Sequence, residues 1–219
     1  MLTKKIYVFF LMLLFICLFN FFTISAINLP LNGKIIYLDP GHGGMDPGST
    51  YKNIYEKDIN LQICNALKQE LEKNGSKVFM TRYSDYDLSS NNVSQRKRSD
   101  LTNRAKIINK SNADMYISIH LNATPSSTWR GVQVFYDDVN SKNKEIAKYF
   151  QQQLNIDLKN NRKYSEIKGM LFNRQVTVPG ILIEVGFLSN PNDRYLLRQE
   201  GYQLKVSKSI VKALISYYN

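Results

Sequence analysis

The chain has 219 residues, 43% of them hydrophobic, so it is long enough for one well-packed domain and too short for two of ordinary size. Its formal net charge of +11 at pH 7 favours an anionic partner such as nucleic acid, lipid headgroups or an acidic cell-wall polymer, although surplus Lys and Arg also serve solubility. The densest basic cluster, residues 96–98, has no nucleic-acid recognition motif around it, so we expect no nucleic acid partner.

The N-terminus contains an apolar stretch, residues 6–24, that follows Lys4 and Lys5. Its length reaches the roughly 20 residues that a transmembrane helix needs. Because the basic residues come first, we expect the N-terminus in the cytoplasm and the remainder outside the membrane. Residues 1–26 are therefore predicted to be a signal anchor, with a signal peptide cleaved after Ala26 as the alternative. Either one exports the chain, and residues 27–33 read as a short spacer.

The remaining residues, 34–219, alternate short apolar runs with helical patterns. The predicted strands are 35–38, 77–81, 115–119, 131–136 and 181–184, and the predicted helices are 56–74, a segment ending near 110, 141–158, and a last one from about 202. Strands and helices that alternate in this way predict one α/β domain with a mostly parallel twisted sheet and helices on both faces. The predicted membrane helix precedes this domain.

The first apolar run ends in the sequence Asp-Pro-Gly-His-Gly-Gly, which places His42 in a flexible turn at a strand's carboxyl end. The only other histidine, His120, follows a second apolar run, and Glu184 closes a third. In a parallel α/β sheet, the crevice beyond the carboxyl ends of the strands is where ligands bind. We therefore expect these three side chains to lie close together.

Two histidines and a carboxylate are a common ligand set for catalytic zinc, which keeps a further position for water. A second carboxylate could then transfer protons, so Glu56 and Glu184 are candidates for the two acidic roles. Each residue also has a structural explanation, since a strand-end histidine is commonly hydrogen-bonded and Glu56 begins a predicted helix. No HExxH-type spacing is present, so the residues alone leave both interpretations open.

Five stretches of the chain together resemble, in order, the motifs of the zinc-dependent N-acetylmuramoyl-L-alanine amidase family. They are Tyr37–Gly44, Tyr55–Leu61, Thr81–Asp85, Ile117–Ala123 and Ile183–Asn190. The resemblance extends from residue 34 to 218. It implies Zn²⁺ as cofactor with His42, Glu56 and His120 as ligands, and Glu184 as catalytic acid/base. The implied reaction is hydrolysis of the amide between N-acetylmuramic acid and L-alanine in peptidoglycan.

Two local features refine this resemblance. Asn122 stands where some members of the family have Asp, so we regard it only as a candidate substrate contact. Only residues 123–130 separate the His120 motif from the next predicted strand, whereas relatives used in cell division carry an inhibitory helix there. Eight residues cannot hold such a helix with its connections. Control is therefore expected from the timing of expression or from an activating partner protein.

A lone amidase domain behind an apolar N-terminal segment is similar to the germination-specific amidases of spore formers, which act in muramic-δ-lactam formation in the spore cortex. This similarity implies an extracytoplasmic protein, membrane-anchored or secreted, in the forespore envelope. Two alternatives remain. One is a catalytically silent peptidoglycan-binding or scaffold protein on the same fold, and the other is a zinc peptidase that cuts within the stem peptide.

Overall fold

The computed structural model describes residues 2–21, 29–90 and 94–219. The first described element is helix α1 (Leu2–Phe21). No helix in these three ranges is both long and apolar enough to cross a bilayer, so the N-terminal membrane helix predicted from residues 6–24 is not supported. The alternative cleavage site after Ala26 lies outside the described residues.

The rest of the described chain alternates strands and helices. The strands are β1 (Ile35–Pro40), β2 (Thr50–Tyr51), β3 (Ile54–Tyr55), β4 (Lys77–Met80), β5 (Met115–Asn122), β6 (Gln133–Tyr136), β7 (Ser165–Glu166) and β8 (Gly180–Phe187). The further helices are α2 (Glu56–Lys73), α3 (Arg96–Asn109), α4 (Asn143–Leu158), α5 (Leu171–Gln175), α6 (Pro191–Leu197) and α7 (Glu200–Tyr218). All five strands and four helices predicted for the domain are present, and the single α/β domain is confirmed.

Six strands form one sheet in the order β4-β1-β5-β8-β6-β7. The strands β4, β1, β5 and β8 run parallel, whereas β6 pairs antiparallel with β8, and β7 pairs parallel with β6. The mostly parallel sheet is therefore confirmed. Because β1, β5 and β8 are neighbours, their carboxyl ends open onto one crevice.

Each face of the sheet has its own core. One face packs aliphatic side chains of β1, β5 and β8 against α2, α4 and α7. The opposite face packs Tyr116 of β5 against Ala105 and Ile108 of α3 and Phe172 of α5. Helices therefore cover both faces, as predicted from the alternation of elements.

The sequence did not predict the hairpin β2–β3, strand β7 or helices α5 and α6. The strands among them have two residues each, which is too short to show a periodicity of two. Helix α6 did have a visible signal, because Asn190 caps its first turn and Pro191 begins it. Between β5 and β6, residues 123–132 contain no helix, in agreement with the prediction. Leu31, within the predicted spacer, is fully buried in the core.

Candidate active site

The four residues singled out in the sequence meet at the carboxyl edge of the sheet. His42 follows β1, Glu56 is the first residue of α2, and His120 lies near the end of β5. Glu184 of β8 is the direct neighbour of His120 in the strand register. The structure thus brings together residues that are up to 142 positions apart in the chain.

His42, Glu56 and His120 offer three potential ligand atoms within 4.8 Å of one another. The distance from Glu56 Oε1 to His42 Nε2 is 3.2 Å, and that to His120 Nδ1 is 3.1 Å. Two ligands about 2.0–2.1 Å from one tetrahedral zinc are roughly 3.3 Å apart, so the spacing and the donor set fit this ion. These three residues could therefore hold a metal.

Two glycines make this convergence possible. A Cβ atom at Gly41 would overlap the imidazole of His120, and one at Gly48 would lie 2.7 Å from both Glu56 Oε2 and His42 Cδ2. Between them, His42 itself has a φ of +62°, a left-handed conformation that is unusual for a side-chain-bearing residue. The turn after β1 is therefore built around the positions of the imidazoles rather than around backbone preference.

The candidate ligands are oriented by further hydrogen bonds. His42 Nδ1 lies 2.9 Å from Asp46 Oδ2, which leaves Nε2 directed toward Glu56. Glu56 accepts hydrogen bonds from the backbone N–H groups of Leu121, at 2.9 Å, and Ser49, at 2.8 Å. Burial opposes ionisation of Glu56, yet the hydrogen bonds from the two imidazoles hold the pKa of its carboxyl well below the usual range. Glu56 is thus a fixed anion.

Glu184 is in a different state. Its Oε2 atom is buried and has no hydrogen-bond partner among the described residues. Burial raises the pKa of the Glu184 carboxyl to about 7, while the neighbouring His120 acts in the opposite direction. A carboxyl group with a pKa near neutrality can both accept and donate a proton at physiological pH. The two glutamates therefore occupy environments that separate their protonation states.

Sequence reasoning missed a buried ionic cluster directly behind the site. Arg104 of α3 is 1% exposed, and its guanidinium pairs with Asp39 Oδ1 at 2.9 Å and with Asp100 Oδ2 at 2.9 Å. Asp39 also accepts hydrogen bonds from Thr81 Oγ1 and Ser118 Oγ, each at 2.7 Å. An available signal was the spacing of Asp100 and Arg104, which are four apart beside the apolar stripe of α3.

Two buried arginines hold the backbone of the turn that carries His42. Arg104 Nη2 donates to the carbonyl oxygen of His42 at 2.6 Å, and Arg82 Nη2 donates to that of Gly41 at 3.0 Å. Both guanidinium groups also donate to the carbonyl oxygen of Pro40. These contacts stabilise a glycine-rich turn that would otherwise have few partners.

The candidate ligands and Glu184 line a cleft of about 570 Å³. Asn122, the candidate substrate contact, lines the same cleft from the end of β5. Lys97 of α3 and Met170, which precedes α5, also line it. The cleft therefore combines titratable and polar side chains with apolar ones, as substrate sites commonly do.

Comparison with known proteins identifies the family of the chain. Residues 36–216 match the model of the N-acetylmuramoyl-L-alanine amidase family Amidase_3, and the chain belongs to this family. The enzyme class predicted from the five motifs is thereby confirmed.

Among its relatives is the germination-specific N-acetylmuramoyl-L-alanine amidase of Bacillus subtilis strain 168, which is 48% identical over 195 residues, covering 87% of this chain and 82% of the relative. The solved CwlD amidase from Clostridioides difficile, in complex with the GerS lipoprotein, is 38% identical with a TM-score of 0.81, covering 85% of this chain and 98% of that one. An N-acetylmuramoyl-L-alanine amidase from Clostridium difficile 630 is 33% identical with a TM-score of 0.76, covering 85% and 97%.

Proposed function

We propose that this enzyme uses Zn²⁺ bound by His42, Glu56 and His120 to hydrolyse the amide between N-acetylmuramic acid and L-alanine in peptidoglycan, with Glu184 as acid/base. The supporting observation is the convergence of two imidazoles and an ionised carboxylate beside a second carboxyl group, whose buried Oε2 atom has no hydrogen-bond partner in the described ranges. That arrangement matches the division of labour between metal ligands and proton-transfer group in zinc hydrolases.

Zinc at this position supplies Lewis-acid polarisation of the scissile carbonyl and lowers the pKa of water. Glu184 accepts a proton from the attacking water on its Oε2 atom and then delivers it to the nitrogen of the departing L-alanine. A pKa of about 7 suits both transfers, because neither protonation state is strongly disfavoured at neutral pH. Asp46 keeps the His42 ring oriented through Nδ1, and Asn122 is positioned to contact the substrate from the cleft wall.

Mass analysis of digested peptidoglycan tests this proposal against its alternatives. The amidase releases intact stem peptides with a free L-alanine amino group and leaves glycan strands without peptides. A stem-peptide peptidase instead leaves L-alanine attached to muramic acid, and a silent scaffold protein releases nothing. Either of the last two results would refute the proposed reaction.

The metal is tested separately by measuring zinc content and affinity in the His42→Ala variant. We expect a large loss of zinc binding, because the variant lacks one of the three proposed protein ligands. The matched control is Asn122→Ala, which changes a residue of the same cleft that is not among the proposed ligands. Equal zinc binding by His42→Ala and the unaltered chain would contradict the ligand assignment.

For the biological setting, we propose spore cortex maturation, with muramic-δ-lactam formation, and germination, outside the cytoplasm in the forespore envelope. The 48% identity to the germination-specific amidase of Bacillus subtilis supports this role. We propose that residues 1–26 act as the export signal, whether retained or cleaved, on the grounds of their apolar sequence after Lys4 and Lys5. Loss of cortex muramic-δ-lactam in a deletion strain, restored by the unaltered gene, would be the expected result.

An activating partner is also proposed, since CwlD from Clostridioides difficile was solved in complex with the GerS lipoprotein. Segment 123–132 contains no inhibitory helix that could regulate this chain from within. Full activity of the purified chain without any added protein, comparable to that of other amidases, would contradict the proposal that a partner is needed for activation.

A further inference from the structure

We propose that Trp129 and Arg162 form a saccharide-binding platform beside the catalytic cleft, on which a pyranose ring of the peptidoglycan glycan strand stacks. This inference rests on the proposed function, because it assigns a binding site to the polymer that carries the scissile amide. The platform consists of the indole of Trp129, on which the sugar stacks, and the guanidinium of Arg162, which packs against that indole.

The indole of the platform is open to solvent. Trp129 is the only tryptophan of the sequence, and 53% of it is exposed. The guanidinium carbon of Arg162 lies 5.1 Å from the centre of the Trp129 ring and 5.2 Å from that of the buried Phe187 ring. Cation–π attraction at these distances stabilises the position of both groups. The indole therefore packs against a charged group.

The loop that carries Trp129 is anchored on both sides of it. Asn190 Nδ2 donates to the carbonyl oxygen of Ser127 at 2.7 Å, and the backbone N–H of Gly131 donates to Asp193 Oδ2 at 2.8 Å. Both hydrogen bonds connect the loop to the start of α6. Because the loop is held before a ligand arrives, binding would cost little ordering of this segment.

The platform is connected through Gln133 to the strand that carries the proposed acid/base. Gln133 of β6 pairs with Glu184 of β8, so their Cα atoms are about 5 Å apart and their side chains share one face of the sheet. Gln133 Oε1 accepts a hydrogen bond from Arg162 Nη2. Ala123, at the start of the same loop, lines the catalytic cleft. A polymer bound with its amide at Glu184 would therefore extend over the platform.

The surroundings of Trp129 favour a saccharide. A cavity of about 350 Å³ begins at Arg130, the residue after Trp129, and is lined largely by polar side chains, among them Asn160, Asn161, Asn192 and Asp193. The apolar face of a pyranose can cover an indole, while its hydroxyl and N-acetyl groups require polar partners of this kind. A protein-docking tryptophan is more typically surrounded by energetically neutral contacts that exclude water. The polar cavity beside Trp129 is thus better matched to a glycan.

Tryptophan fluorescence tests the platform directly, because Trp129 is the single tryptophan of the sequence and therefore the only source of this signal. The full chain is titrated with peptide-free oligomers of alternating N-acetylglucosamine and N-acetylmuramic acid. We expect a saturable change in emission intensity or wavelength. The absence of any change up to millimolar oligomer, or a change produced only by a protein partner, would overturn the proposal.

Kinetics of variants provide a second measurement that does not depend on fluorescence. Trp129→Ala should raise KM for polymeric peptidoglycan by about tenfold, while kcat for a soluble muramyl dipeptide is unchanged, and Trp129→Tyr should largely restore the KM. The control Tyr149→Ala removes a partly exposed ring from α4 and should leave both substrates unaffected. An unchanged KM for the polymer in Trp129→Ala would also refute the platform.

The two proposals fail in distinguishable ways. Turnover of the small substrate together with unresponsive Trp129 emission would reject the platform and leave the amidase mechanism intact. Saturable glycan binding without any turnover of either substrate would reject the proposed reaction and support the platform.

Discussion

The two faces of the central sheet differ in chemistry beneath the candidate site, although they are built from the same strands and each has an apolar core. In β5, Met115, Ile117 and Ile119 face the aliphatic core, whereas Ser118 and His120 face the other side. Below the candidate site, this second face contains the ion pair of Arg104 with Asp39 rather than hydrocarbon. A strand buried on both sides can therefore stabilise the fold with alternate residues and support catalysis with those between them.

The difference has an energetic consequence. The aliphatic face gains free energy from burial in proportion to its area, without requiring any one partner. The buried charges on the second face are tolerated only because each group is paired, and the Arg104 charge, against the effect of burial, keeps the pKa of Asp39 below its ordinary value. We expect mutations on the aliphatic face to affect stability alone, and those on the charged face to affect the site as well.

The largest effect is expected from Glu184→Gln. This change removes the proton-transfer group while keeping its shape, so kcat should fall by about 10²- to 10⁴-fold. Zinc content should be unaltered, because Glu184 is not one of the three proposed ligands. Muropeptide release and metal analysis are the measurements, with Glu166→Gln on the exposed edge of the sheet as control. Retained turnover in Glu184→Gln would exclude the mechanism.

A smaller but still large effect is expected from Gly41→Ala. The new methyl group would overlap the His120 imidazole and displace it, so zinc affinity should fall by about 10- to 100-fold. Competition with a chromogenic chelator measures this affinity. Gly201→Ala in α7 is the control, since nothing lies within 4 Å of the added atom and alanine favours the helix. Similar zinc affinity in the two variants would argue against the close approach at Gly41.

A matched pair of core variants tests the comparison of the faces. Leu71→Ala in α2 should lower the free energy of unfolding by about 2–5 kcal/mol and leave kcat of the folded protein unchanged. Arg104→Met should cost about 3–5 kcal/mol, because Asp39 and Asp100 lose their buried partner.

Unlike Leu71→Ala, Arg104→Met should also lower zinc affinity, since Arg104 donates to the carbonyl oxygen of the proposed ligand His42. Urea unfolding and chelator competition on both variants check these outcomes. Equal zinc affinity in Leu71→Ala and Arg104→Met would show that the charged face does not influence the site more than the aliphatic face does.

The last effect concerns the pH dependence of stability in the metal-free protein. Burial raises the pKa of Glu184 from 4.5 to about 7, so between these values the folded chain binds more protons than the unfolded chain. Stability contributed at this residue therefore falls as pH rises from 4.5 to 7. Glu184→Gln has no carboxyl group to ionise. Its free energy of unfolding should therefore exceed that of the unaltered chain by up to about 3 kcal/mol at pH 7, relative to the difference at low pH.

Urea unfolding of the chelated proteins at several pH values measures the difference between the two. The control Glu166→Gln, at an exposed glutamate, should show no comparable change with pH. Parallel pH profiles for Glu184→Gln and the unaltered chain would mean that the carboxyl of Glu184 is not perturbed by burial.

The sequence by itself determined the α/β class, the principal strands and the residues brought together at their ends. Apolar runs closed by glycine, histidine or glutamate are local patterns, and parallel strands necessarily place their carboxyl ends at one edge. The prediction of an N-terminal membrane helix, by contrast, is not supported in the described part of the chain.

Only the tertiary structure decided which partners these residues have. The contact of Arg104 with Asp39 joins positions 65 residues apart, and the Gln133–Arg162 bond joins positions 29 apart. No periodicity encodes such pairs, because they depend on strand order and on the course of the loops. That Glu184 Oε2 has no hydrogen-bond partner in the described part of the chain is likewise a property of the fold, and the raised pKa of Glu184 follows from burial rather than from residue type.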